Sequence, residues 1–152
     1  MFRGLSEGKI DDKGRITIPA NYRTLIVEEA SGSLVVTIDT EDPCLLLYPF
    51  PQWQIIEEKL EGLPTFQPAA RRIQRLLIGH ATELELDRHG RILLPDLLRD
   101  YAQLDKTVML VGQGKKIEIW SDRLWEDART MWLAKDLEGH QGPPMELMGL
   151  VL

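Results

Sequence analysis

Two pentapeptides of this chain have the residue types for recognition chemistry: Asp11-Asp12-Lys13-Gly14-Arg15 and Asp87-Arg88-His89-Gly90-Arg91. Each follows the pattern Asp-x-x-Gly-Arg. The glycine stands where a short hairpin loop needs a positive φ. The aspartate precedes the turn, where its carboxylate can accept hydrogen bonds from turn amides. The arginine leaves the turn four residues after the aspartate, within reach of it. A carboxylate so placed orients the guanidinium and limits its rotamers. An oriented guanidinium donates two parallel hydrogen bonds, the geometry that guanine O6 and N7 accept. An ion pair at a hairpin surface contributes only about 0–1 kcal/mol, and a turn needed for stability alone does not need the same Asp and Arg twice.

The two pentapeptides belong to a longer repeat. Residues 9–23 (KIDDKGRITIPANYR) and 85–99 (ELDRHGRILLPDLLR) lie 76 positions apart and share six of fifteen residues: Asp11/Asp87, Gly14/Gly90, Arg15/Arg91, Ile16/Ile92, Pro19/Pro95 and Arg23/Arg99. About one identity is expected by chance from average composition. The similarity continues at shorter offsets, with Leu34–Ile38 answered by Val108–Gly112, Tyr48 by Trp120 and Trp53 by Trp125.

Each copy reads as strand, tight turn, strand and helix. The strands are expected near 7–11 and 15–18 in the first copy and near 83–87 and 91–94 in the second. Pro19 and Pro95 open the helices, where a missing N–H costs nothing. Two more strands follow in each copy (34–39 and 44–48; 108–112 and 116–120), then a helix from about Pro51 or Asp122. A helix over 68–80 joins the copies, preceded by the linker Glu61-Gly62-Leu63-Pro64-Thr65. A half-chain of this size is marginal alone, and neither half can cover both faces of its short strands. Pairing the halves edge to edge into one pseudo-two-fold β-barrel solves both problems.

The net charge of −6 runs against a simple nucleic-acid binder, which presents a basic surface. Distribution qualifies the average. Residues 1–25 carry Arg3, Lys9, Lys13, Arg15 and Arg23 against Glu7, Asp11 and Asp12, whereas residues 121–152 carry six acids against three bases. One locally basic patch facing DNA is compatible with an acidic whole.

The double Asp-x-x-x-Arg, the opening Met1-Phe2-Arg3-Gly4, the segment Pro43–Pro49 and the stretch Arg71–Ala81 resemble the MraZ family, over roughly residues 1–125. The resemblance implies the swapped-hairpin barrel of the AbrB/SpoVT superfamily: a mainly β fold with helices (α+β), two tandem AbrB-like halves in one barrel, and flanking helices. The expected organisation is a first AbrB-like repeat over 5–52, connecting helices over 53–80, a second repeat over 81–124, and a C-terminal helix and tail over 125–152. The resemblance further implies a transcriptional regulator, a repressor of the division and cell-wall gene cluster and of its own promoter. It implies homo-oligomeric rings, octameric or larger, and association with the nucleoid.

Within that reading Arg15 is the candidate for base readout, with Arg91 its counterpart. Lys9, Lys13, Arg3 and Arg23 are candidates for phosphate contact, which positions a protein without specifying sequence. Lys13 is the best placed of these, at the turn tip. Arg23, on a helix, also reads as a structural partner of the turn. Asp11, Gly14, Asp87 and Gly90 organise the turns. The first copy is flanked by Lys9 and Lys13 and the second by Glu83, Glu85 and His89, so equal DNA contact by both is not implied. The expected partner is double-stranded promoter DNA with repeated sites, where several copies act through effective concentration.

Other chemistry finds little support. His80, His89 and His140 share no metal-ligand spacing, and Cys44 is the sole cysteine; no metal and no cofactor is expected. Cys44, in the run Cys44–Tyr48, reads as a small buried hydrophobe. Asp11 and Asp12 are adjacent and point different ways, and neither a nucleotide loop nor a nucleophile elbow occurs. The expectation is a protein without catalytic activity. A ring-forming protein-interaction scaffold is the alternative; a carboxylate-dependent hydrolase would need a cleft that sequence cannot show.

Arg71, Arg72 and Arg75 read as a solvated or subunit-bridging face pairing with Glu57, Glu58 or Glu61, with phosphate contact the alternative. Trp53 and Trp125 read as core or interface anchors. The Leu133–Leu152 tail has two uses open to it, docking on a neighbouring subunit or remaining mobile. No signal peptide and no stretch of the ~20 apolar residues that span a membrane is found, so a cytoplasmic location is expected.

Overall fold

The computed structural model describes residues 1–134 and 150. Strand β1 (Leu5–Lys9) leads through the first turn into β2 (Arg15–Thr17) and helix α1 (Ala20–Ala30). The pair β3 (Ser33–Ile38) and β4 (Leu45–Pro49) follows, then α2 (Phe50–Glu61) and α3 (Pro68–Leu77). The second copy repeats the order with β5 (Thr82–Glu85), β6 (Arg91–Leu93), α4 (Asp96–Tyr101), β7 (Thr107–Gly112) and β8 (Ile117–Ser121), and α5 (Asp122–Ala134) closes it. Residues 1–122 form one compact unit and those from Arg123 on a second. In the second, Trp125 and Trp132 meet edge to face with centroids 5.9 Å apart. Of the C-terminal tail and His140, all but Leu133, Ala134 and Leu150 lie outside the described residues.

The main sheet has the order β1-β7-β8-β4-β3-β5. Its edges are swapped between the copies. β1 of the first half pairs antiparallel with β7 of the second, from Leu5↔Val111 to Lys9↔Thr107. β5 of the second half pairs with β3 of the first, from Ser33↔Glu85 to Val36↔Thr82. The halves therefore interlock rather than stand side by side.

The barrel expected from the edge argument is not closed. β1 and β5 are the two ends of the ladder and do not pair with each other. The short β2 and β6 pair instead with one another as a separate two-stranded ribbon, in the register Arg15↔Leu93, Ile16↔Ile92 and Thr17↔Arg91. The reason lies in the prolines. Pro19 and Pro95 have no N–H to give a ladder, and at φ −55° and −60° they act as the N-caps of α1 and α4, one position earlier than expected. Each strand is left with three residues, and these go to its equivalent.

The ribbon still completes the core. Side chains alternate across it, so Ile16 and Ile92 face inward at 0% and 1% exposure. Ile18 and Leu94, just beyond the strands, are also buried and join the cluster that holds Leu34, Val36, Leu47, Val108 and Ile119. Burying one such side chain stabilises by about 1.5–3 kcal/mol, so the inner face anchors the ribbon firmly. Trp53 is buried beside Tyr48, with centroids 5.8 Å apart, as expected of a core anchor. Cys44 is a buried free cysteine, and burial pushes its thiol pKa up.

Candidate nucleic-acid interface

The two turns are built alike. In the first, the Asp11 and Arg15 backbones close the loop: Asp11 N–H donates to Arg15 O at 3.0 Å and Gly14 N–H to Asp11 O at 3.0 Å. Asp11 Oδ1 accepts from the Lys13 N–H at 3.0 Å and the Arg15 N–H at 2.9 Å. Its other oxygen, Oδ2, accepts from Arg15 Nε at 2.7 Å. In the second turn Asp87 Oδ1 accepts from His89 N–H at 2.8 Å and Arg91 N–H at 2.9 Å, and Oδ2 from Arg91 Nε at 2.9 Å. Gly14 and Gly90 take φ of +87° and +73°, the left-handed conformation that a side chain resists.

This wiring shapes the charge of each site. The Asp11 carboxyl is held down to about 2, chiefly by the Arg15 backbone N–H, helped by the Arg15 side chain and the Lys13 N–H. Asp87 is lowered in the same direction, chiefly by the Arg91 backbone N–H. Both carboxylates stay ionised in neutral solution. Because each takes its arginine through Nε, the terminal Nη groups of the guanidinium keep their donors for something else. The side chains of Arg15 and Arg91 are 30% and 28% exposed, neither covered nor loose.

The ribbon brings the two arginines onto one surface. Directly paired residues share a face, so Arg15, Thr17, Arg91 and Leu93 all lie on the side opposite Ile16 and Ile92. Lys13 is exposed at the first turn tip. Lys9 is exposed on β1, where its Nζ donates to Thr107 Oγ1 at 2.9 Å and lies 3.6 Å from Glu7, which offsets part of its charge. Arg3 is exposed beside Phe2, and its carbonyl and that of Gly4 accept from the Tyr22 hydroxyl at 3.0 and 2.7 Å.

Two residues join the site that sequence reasoning missed. Arg88 is exposed at the second turn tip, with Nε donating to His89 Nε2 at 3.3 Å. The second turn is therefore no less cationic than the first, in spite of Glu83 and Glu85 on β5. The signal was present: the 76-residue offset aligns Arg88 with Asp12. The second is Arg99, the repeat partner of Arg23. Arg99 packs against Gly14 and Arg23 against Gly90.

Two further groups lie outside β2, β6 and the two turns. Arg71, Arg72 and Arg75 are exposed on α3, but among the described residues they form no ion pair with Glu57, Glu58 or Glu61, so the expected pairing is not made. Asp39, Cys44 and Glu118 present ligand-type atoms within 4.8 Å of one another. Each already has a partner, Cys44 Sγ with Asp39 Oδ2 at 3.7 Å and Glu118 Oε1 with Trp120 Nε1 at 3.0 Å, and the raised thiol disfavours the thiolate a metal needs. Among the described residues no helix is long and apolar enough to cross a membrane.

Comparison with known proteins agrees with this duplicated design. The family model described as MraZ protein matches twice, over residues 1–76 and 77–137. A protein of Coxiella burnetii named Transcriptional regulator MraZ is 62% identical over 152 residues, covering 100% of both chains. Proteins of the same name from Legionella pneumophila and Alkalilimnicola ehrlichii are 55% identical over 147 residues (97% of each chain) and 51% identical over 152 residues (100% of each).

Proposed function

The chain belongs to the MraZ family, and from that premise we propose that it is a DNA-binding transcriptional regulator whose β2–β6 ribbon reads duplex DNA through Arg15 and Arg91. The name that the relatives share, transcriptional regulator, supports the regulatory role. The ribbon's outer face supports the mode. A two-stranded ribbon fits the major groove, and the inner face holds this one rigidly to the core.

A single observation carries the reading. Arg15 and Arg91 share the outer face and are offset by two residues along the ribbon, because Arg91 pairs with Thr17 and Arg15 with Leu93. Two residues of antiparallel strand span about 7 Å, and two base-pair steps of duplex span about the same distance. Both guanidiniums can then meet guanine edges in one groove, each with its Nε engaged by Asp11 or Asp87 and its terminal nitrogens available. Lys13 and Arg88 at the turn tips, with Arg3 and Lys9 to the side, supply phosphate contacts.

One such surface is small. Useful affinity comes from several copies on repeated sites, which agrees with a homo-oligomeric ring of eight or more subunits on promoter DNA. The target is the division and cell-wall gene cluster with the protein's own promoter, the effect repression, and the location the nucleoid of the cytoplasm. No catalytic step belongs to this reading.

The test is binding to a promoter fragment over a range of salt. Arg15→Ala is expected to lose specific binding, by about 5- to 150-fold for one bidentate contact worth about 1–3 kcal/mol, with fold and oligomeric state retained. Arg91→Ala is expected to lose comparably. Undiminished specific binding by both variants removes the ribbon from the mechanism.

A further inference from the structure

Gly14 and Gly90 sit at turn tips, where glycine is ordinarily open to solvent, yet both are buried. What buries them is an arginine of the other half. A Cβ added to Gly14 would stand 2.7 Å from Arg99 Cζ and 2.9 Å from Arg99 Nε, and one added to Gly90 would collide with Arg23 Cδ and Nη1. Arg99 lies on α4 of the second half and Gly14 in the first; Arg23 lies on α1 of the first half and Gly90 in the second.

Backbone bonds cross in the same sense. Leu94 N–H donates to Gly14 O at 3.0 Å, and Ile18 N–H donates to Gly90 O at 2.9 Å. Leu94 joins the two contacts, since its carbonyl also accepts from Arg99 Nε at 3.2 Å. Arg99 is held further by an ion pair with Asp96. The position equivalent to Asp96 in the first half is Ala20, so the Arg23 contact lacks this tether.

We propose that Arg23 and Arg99 are positioning residues acting crosswise, each guanidinium bracing the arginine-bearing turn of the opposite half. A planar group seated on a glycine holds the turn by a contact separate from those of the turn's own aspartate. Arg99 thereby aims Arg15, and Arg23 aims Arg91. A side chain at the glycine would then both strain the positive φ and displace the arginine that fills the space. The aiming of Arg15 and Arg91 at DNA rests on the function proposed above; the crosswise contact does not.

The experiment is amide NMR of the full chain carrying Arg99→Gln or Arg23→Gln, followed by DNA binding of the same variants. Arg99→Gln is expected to shift the Lys13, Gly14 and Arg15 amides and leave those of His89, Gly90 and Arg91 in place; Arg23→Gln is expected to do the reverse. Should a glutamine variant not fold, Arg99→Lys or Arg23→Lys carries the same comparison, because lysine keeps the charge without the planar face. Shifts confined to the variant's own half, or equal in both turns, overturn the proposal. In the binding arm each variant is expected to weaken affinity by about tenfold with an unchanged salt slope. A slope reduced by about one unit marks a direct phosphate contact and overturns the positioning role. If the unaltered protein does not bind the promoter fragment, the function proposed above fails, and the amide comparison still decides the crosswise bracing.

Discussion

Asp11 receives Arg15 twice: the backbone N–H reaches Oδ1 at 2.9 Å and the side-chain Nε reaches Oδ2 at 2.7 Å. One carboxylate thus sets both where the arginine's backbone leaves the turn and which way its guanidinium points. Asp11→Asn keeps an acceptor for one of these bonds and places an NH2 group where the other acceptor was. Removal of the charge and of one bond loosens the guanidinium without unfolding a chain whose core lies elsewhere. Promoter affinity of Asp11→Asn is expected to fall by about tenfold with thermal unfolding nearly unchanged. Wild-type affinity in this variant shows that the carboxylate does not orient Arg15.

The same wiring predicts an acid titration. The Asp11 carboxyl is held at about 2, below its ordinary value of 3.8. A depressed folded-state pKa contributes stability that is present above the ordinary value and is lost as pH falls through the folded value. The Asp11 contribution is therefore complete above about pH 4 and gone below about pH 2. Side-chain carbon NMR is expected to place the Asp11 midpoint near 2, with Asp87 also below the ordinary carboxylate value. In Arg15→Ala the Asp11 midpoint rises only part of the way, because the first cause of the depression is the backbone N–H at position 15, which alanine retains. An ordinary midpoint in the unaltered protein means that the turn is not closed in solution.

Much of this site was legible in the chain. The duplicated Asp, Gly and Arg fixed the turns and their handedness, since Gly14 and Gly90 do take positive φ. What local pattern could not tell is which half each strand would join. The strands β1 and β5 are half-exposed edges whose burial alternates, and either partner sheet satisfies that pattern. The pairing of β1 with β7 and of β5 with β3 comes from the tertiary fit of the two halves. The same swap sends Arg99 to Gly14 and Arg23 to Gly90, so an offset that shows two arginines to be equivalent does not show that each serves the other's turn. The closed barrel failed for a local reason, the two prolines that cut β2 and β6 short.

Gly14→Ala tests both demands on the glycine. A φ of +87° costs a side-chain-bearing residue about 1–3 kcal/mol, and the added carbon meets the Arg99 guanidinium. Urea unfolding is expected to show a loss of that order for Gly14→Ala and for Gly90→Ala. Gly14→Asn tolerates the backbone better but still collides with Arg99, so it is expected to gain little over alanine. Asparagine restoring full stability shows that the space above Gly14 is not occupied in solution.

Ile16 and Ile92 face each other at the centre of the ribbon and are 0% and 1% exposed. Truncating either leaves a cavity where the ribbon meets the sheet, a loss of about 2–5 kcal/mol. Because the outer face moves with the inner one, Ile16→Ala is expected to weaken DNA binding as well, though it touches no DNA. Chemical denaturation gives the first quantity and promoter binding the second. A stable Ile16→Ala variant shows that the ribbon is not seated on the core.

The two turn tips differ in charge, and salt dependence can compare them. The first tip carries Asp12 and Lys13; the second carries Arg88 and His89. Each phosphate contact releases counterions and adds about 0.9 to the slope of log affinity against log salt. Lys13→Gln and Arg88→Gln are each expected to flatten that slope by about one unit and to weaken binding evenly across DNA sequences. If the acids on β5 kept the second half off the duplex, Arg88→Gln would leave the slope unaltered while Lys13→Gln lowered it. Equal flattening places both turns on DNA at once, as the shared outer face of Arg15 and Arg91 requires. Flattening by Lys13→Gln alone confines recognition to the first turn and leaves Arg91 without a base to read.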